Sequence, residues 1–143
     1  MADTLWMRLR EINWEQQESS PQFKKSLPKT IESLASRKES RAIKAGHSLW
    51  TALCSGKVYP ATEACLPFIT EVLPISTPAV QCEILDILTK VKNDLGNIER
   101  DDLINWQSNT LKTLEMDKAL ISHLTRSSDE IVADKAENLL SSL

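Results

Sequence analysis

Apolar residues recur along this chain at helical spacing and almost nowhere in alternation with polar ones. Leu5, Leu9 and Ile12, with Trp6, form one stripe through Thr4 to Gln17. Ser20 and Pro21 then open a second segment, the serine as N-cap and the proline at the first helical position, where its missing N–H costs nothing. Phe23, Leu27, Ile31 and Leu34 follow at i, i+4, i+8 and i+11, and Pro28 inside that run predicts a bend or a short preceding turn. Ala42, Ala45, Leu49 and Leu53 make a third stripe that stops at Gly56, a residue suited to a left-handed cap.

The same grammar repeats downstream. Pro60 is expected to open a helix carrying Ala64, Leu66, Phe68, Ile69, Val72 and Leu73, closed by Pro74. Thr77-Pro78 opens the next, with Val80, Ile84, Ile87, Leu88 and Val91, ending near Asn93 to Gly96. Arg100 to Thr125 holds neither Gly nor Pro, and we expect two helices with a kink near Met116 and Asp117. Leu103, Trp106, Thr110, Leu111 and Leu114 mark the first, and Leu120, Ile121 and Leu124 the second. Ser127, Ser128 and Asp129 supply the N-cap of a last helix with Val132, Ala136, Leu139, Leu140 and Leu143, so the end of the chain is expected to dock. The predicted class is all-α.

An internal repeat organises these helices. Leu27 to Leu34 and Leu66 to Leu73 both read L-P-x-x-x-E-x-L, 39 residues apart. The same shift lays Glu32 on Glu71 and Leu49 on Leu88, and a shift of 90 lays Leu34, Leu49 and Leu53 on Leu124, Leu139 and Leu143. Paired helices at periods of about 40–47 residues are the mark of HEAT-type solenoids, in which stacked hairpins share one core. We therefore expect a single HEAT-like domain over 1–143: an N-terminal capping helix, 1–19, and helical repeats at 20–56, 57–96 and 97–143. More specifically, Ile12-Asn13-Trp14, Leu49-Trp50-Thr51-Ala52-Leu53, Gly56-Lys57-Val58-Tyr59-Pro60-Ala61-Thr62 and Pro67-Phe68 resemble a group of bacterial HEAT-like proteins. That resemblance spans about residues 12 to 93. It implies the role of an immunity protein, which binds and neutralises a toxin, and leaves the toxin unidentified.

Composition narrows the chemistry. The 143 residues are 41% hydrophobic and 26% charged, enough for one core without disulfides or a structural metal. Three glycines, widely spaced, leave no phosphate-cradling G-x-x-x-x-G-K or G-x-G-x-x-G loop. Cys54, Cys65 and Cys82 contain no C-x-x-C pair and read as small core residues, so no cofactor or metal is expected. His47 and His123 stand on different repeats without a nucleophile at a recognisable spacing, and we identify no catalytic residue. No signal-like or membrane-length apolar run is present, and a cytoplasmic location is expected.

Seventeen basic against twenty acidic residues give a formal charge of −3, the wrong sign for a general binder of nucleic acid. The candidate surface is instead for protein. Trp50 and Trp106 are candidate anchors, with core packing as the competing reading. Glu130, Asp134 and Glu137 recur at i, i+4 and i+7 on the last helix, Glu83 and Asp86 lie on the polar side of the Thr77-Pro78 helix, and Asp101 and Asp102 cluster at the turn after it. On the concave face of a solenoid these carboxylates would form an acidic trough for a basic toxin domain, or they are ordinary solvated helix faces. Two alternatives use other features. Lys24, Lys25, Lys29, Arg37, Lys38, Arg41 and Lys44 crowd the N-terminal third, as a HEAT-like nucleic-acid binder or DNA glycosylase would need, and a scaffold or bilin-lyase-like repeat protein is the third class. A homodimer is also open.

Overall fold

The structure, a computed structural model, describes residues 2–17, 19 and 26–143, with side chains for all of these except 2–4, 6 and 15. The expected Ser20-Pro21 helix start, Phe23, Lys24 and Lys25, and the side chain of Trp6, lie outside the described residues. Those residues form eight α-helices and no strand: α1 (Ala2–Arg10), α2 (Leu27–Leu34), α3 (Glu39–Cys54), α4 (Thr62–Val72), α5 (Pro78–Gly96), α6 (Asn105–Met116), α7 (Lys118–Leu124) and α8 (Glu130–Ser142). The chain is all-α, and no described helix is long and apolar enough to cross a membrane.

Most helix ends follow from local chemistry. Pro28 and Pro78 sit in the first turns of α2 and α5, where no N–H is required of them. Asp129 caps α8 by accepting hydrogen bonds from the N–H groups of Ile131 and Val132, both at 3.0 Å. Gly56, after α3, takes φ +78°, the left-handed region expected of it, and the Tyr59 N–H closes this end of α3 on the Leu53 carbonyl at 2.7 Å. The chain breaks between α6 and α7 at Asp117, whose N–H reaches the Thr113 and Leu114 carbonyls together.

Three boundaries differ from expectation. The first stripe does not continue to Gln17, because the Trp14 indole donates to the Leu9 carbonyl at 2.7 Å and takes the acceptor that a continuing helix would offer to Asn13. The chain turns there into a 3₁₀ segment, Trp14–Gln16. Pro60 does not begin a helix; it belongs to the turn in which the N–H groups of Thr62 and Glu63 bond the Tyr59 and Pro60 carbonyls, and α4 starts at Thr62. The helix expected in the stretch from Arg100 begins only at Asn105, after a 3₁₀ turn, Arg100–Asp102, which holds Asp101 and Asp102 at the turn where they were expected.

Packing gives the helices an order. α3 lies against α2 and α5, α5 against α3, α6 and α8, and α8 against α5 and α7. α4 lies against α2 and α6, and α1 against α2. The 39-residue correspondence survives in burial: Leu27, Ile31 and Leu34 are buried like Leu66, Thr70 and Leu73, Glu32 and Glu71 are exposed, and Leu49 and Leu88 are fully enclosed. Helices α3 and α5 also begin 39 residues apart. Arg8 fastens α1 by pairing with Glu71 and lying 5.1 Å over the Phe68 ring.

The α3–α5 contact is close at Gly46. A Cβ added to Gly46 would stand 2.9 Å from the Glu83 Cβ, so only glycine admits α5 at this distance. Gly46→Ala is therefore expected to destabilise the fold by about 1–3 kcal/mol. Gly96→Ala, whose Cβ would meet only the flexible end of Lys92 at 3.5 Å, should be neutral or stabilising by up to about 1 kcal/mol. Urea unfolding of both variants checks the contrast.

A second expectation concerns the kink. Burial raises the Asp117 carboxyl above its usual value near 3.8, opposed by the Thr70 hydroxyl, and Asp117 Oδ2 is buried without a hydrogen-bond partner. A raised folded-state value means that protonation favours the folded chain, so this group supports stability below about pH 4 and ceases to as pH rises through its folded value. Asp117→Asn should then stabilise the protein by about 0.5 kcal/mol at pH 7, with the gain shrinking towards pH 4 in the same urea titration.

Candidate functional site

Three of the nine residues singled out in the sequence, Trp50, Glu83 and Asp86, come together. They line an open groove of about 510 Å3 between the outward faces of α3 and α5, joined there by His47, Lys90 and Asn93. Trp50 is half-buried and packs against the core while one side faces the groove, so the anchor and the core readings of this residue are both met. The seam that Gly46 closes lies beneath it.

The groove is not a bare row of carboxylates. Glu83 meets His47 Nε2 at 3.0 Å, Asp86 accepts from Lys135 Nζ of α8 at 2.6 Å, and Lys90 pairs with Asp94 at 2.9 Å along α5. The hydrogen bond from Asp86, against opposing burial, raises the Lys135 ammonium above its ordinary value. Each carboxylate of the pair Glu83 and Asp86 therefore spends part of its charge inside the molecule, tying α5 to α3 on one side and to α8 on the other. These are half-exposed pairs, and their use is to fix geometry more than to add stability.

The other candidates separate from this groove. Glu130, Asp134 and Glu137 do share one exposed face of α8, and none of them enters an ion pair among the described residues. Trp106 lines a second groove of about 530 Å3 with Val58, Tyr59 and Ile98, where Lys57 lies 5.1 Å over the Tyr59 ring. The two grooves touch at Lys90. Asp101 and Asp102 are exposed on their turn and line neither.

Sequence reasoning overlooked His47 and Lys135. Both are polar residues on otherwise legible helices, and only the register of α3 and α8 against α5 makes them partners of Glu83 and Asp86; periodicity within one helix carries no such register. The Lys90–Asp94 pair, at i and i+4, was visible in principle.

Among the described residues no group of three His, Cys, Asp or Glu side chains could hold a metal ion. The thiols are held in their protonated form: burial pushes Cys54 up to about 12, raises Cys65, which is wholly enclosed, and raises Cys82. Cys82 packs against the core from α5 but is only partly buried, near Lys135 and Asp86. Under native conditions at pH 7.5 a disulfide reagent should therefore modify Cys82 slowly and alone, with Cys54 and Cys65 reacting only after denaturation; a thiol-release time course counts them.

No family model, curated protein or solved structure matches the chain.

Proposed function

We propose that the chain is a HEAT-like α-solenoid acting as a non-enzymatic, protein-binding module of the toxin-immunity kind, which neutralises a basic partner by covering its active or substrate-binding surface. The solenoid reading draws on the order of contacts. Helices α3, α5 and α8 follow one another as one row, α2, α4 and α6 as another, and the 39-residue repeat relates α3 to α5. Occlusion requires affinity and shape, and no reacting group.

The observation that carries the binding reading is Trp50. A half-buried tryptophan held in place by the core, open on one side and ringed by hydrogen-bonding and charged groups, is the arrangement that concentrates binding energy at protein interfaces. The unpaired stripe Glu130, Asp134 and Glu137 on α8 supplies the long-range attraction. The pair of Asp86 with Lys135 ties the groove-lining helix α5 to the helix that carries the stripe.

The test begins with the tagged chain recovered from its native host at moderate salt, with mass spectrometry of the bound fraction. The expected result is a stoichiometric partner bearing a basic toxin-like domain, whose toxicity the chain relieves. Trp50→Ala should then weaken the complex by about 2 kcal/mol, roughly 30-fold, chiefly through faster dissociation. Asp134→Lys with Glu137→Lys should slow association and flatten its salt dependence without disturbing the fold. Recovery of the chain alone, or a complex indifferent to Trp50→Ala, would remove this reading.

A further inference from the structure

On a different face of α3 from the partner groove lies a basic one. It has a volume of about 600 Å3 and runs between α2 and α3, with Lys29 on α2, Arg37 in the link, and Arg41 and Lys44 on α3. Lys24 and Lys25, which precede Lys29 in the sequence, are outside the described residues. The crowding reflects an uneven chain: residues 1–56 hold nine basic and six acidic side chains, and residues 57–143 hold eight and fourteen. None of the four cations is in an ion pair among the described residues, although Glu32 stands on the same rim. Arg41 and Lys44, at i and i+3, place like charges side by side on α3.

The polar lining is equally unspent. The hydroxyls of Ser33 and Ser48 make no hydrogen bond among the described residues, Ser36 accepts from the Lys38 N–H at 3.2 Å, which leaves its own O–H free to donate, and only the Thr30 hydroxyl is committed, to the Ser26 carbonyl at 2.8 Å. Three hydroxyl donors and two guanidinium forks converging on one concavity match the oxygens of phosphate groups. Among the described residues no aromatic ring lines the groove, and its apolar members, Leu5, Ala35 and Ala45, give a peptide no anchor. The volume falls in the range of small-molecule sites.

We propose that this groove binds a compact polyanion made of linked phosphate groups, held by Arg37, Arg41, Lys29 and Lys44 with the Ser33, Ser36 and Ser48 hydroxyls as further donors. Such a ligand relieves the repulsion along α3 and needs neither a base-stacking surface nor an apolar pocket. The site is separate from the Trp50 groove and does not depend on the immunity reading.

Inorganic tripolyphosphate is the probe, titrated calorimetrically into the full chain at low ionic strength. We expect one site with micromolar affinity that weakens as salt is added. Arg37→Gln with Arg41→Gln should weaken it at least 10-fold, and Lys112→Gln with Arg126→Gln, which removes the same charge from exposed positions elsewhere, should change it less than 2-fold. Circular dichroism melts establish that both double variants remain folded. Absence of heat at millimolar probe, or equal weakening by the two pairs, would overturn the proposal. So would a 20-base-pair duplex that binds more tightly than tripolyphosphate through the same two arginines, which would make this a nucleic-acid surface.

Discussion

The approach of α3 to α5 sets the rest of the molecule. It is possible because Gly46 leaves room for the Glu83 side chain. Helix α5 in turn carries α6 and α8, so a displacement at the seam would be passed to the C-terminal half through a close-packed interior that has few ways to absorb it. The ion pairs on the surface of the seam record this register: Glu83 with His47 across to α3, Asp86 with Lys135 across to α8. The groove beside Trp50 exists because two helices are held at this spacing with their polar edges turned outward.

Charge is distributed so that two surfaces can act independently. On the function proposed above, the α8 stripe and the Trp50 groove would face a basic macromolecule, the acids guiding encounter and the one aromatic side chain holding the contact. The α2–α3 groove concentrates cations, Lys29, Arg37, Arg41 and Lys44, that enter no ion pair among the described residues. The thiols are kept protonated by burial, two of them inside the core, and packing is sufficient to explain those two.

Much of the helix order was legible in the sequence because its signals are local. Pro78 after Thr77, the left-handed Gly56, Asp129 before α8 and the break at Asp117 each act within a turn or two of themselves, so reading neighbours suffices. The end of α1 was not legible, since it depends on the Trp14 indole folding back onto the Leu9 carbonyl in place of a backbone N–H. The candidate site was legible in part. Trp50, Glu83 and Asp86 were found by asking which polar and aromatic residues lie on an outward helix face, whereas His47 and Lys135 became meaningful only once inter-helix register was known. Trp106 and the pair Asp101 and Asp102 lie close to one another in the chain and apart in their surroundings, a separation set by the 3₁₀ turn before α6.

Native-state amide hydrogen exchange, read residue by residue, addresses the seam most directly. If the α3–α5 contact organises the molecule, the amides of α5 from Ile84 to Val91 and those of α3 from Leu49 to Leu53 exchange last and only through global unfolding, while α1 opens earlier. Exchange from α5 as fast as from α1, with the slowest amides elsewhere, would contradict the central place given to this pair of helices.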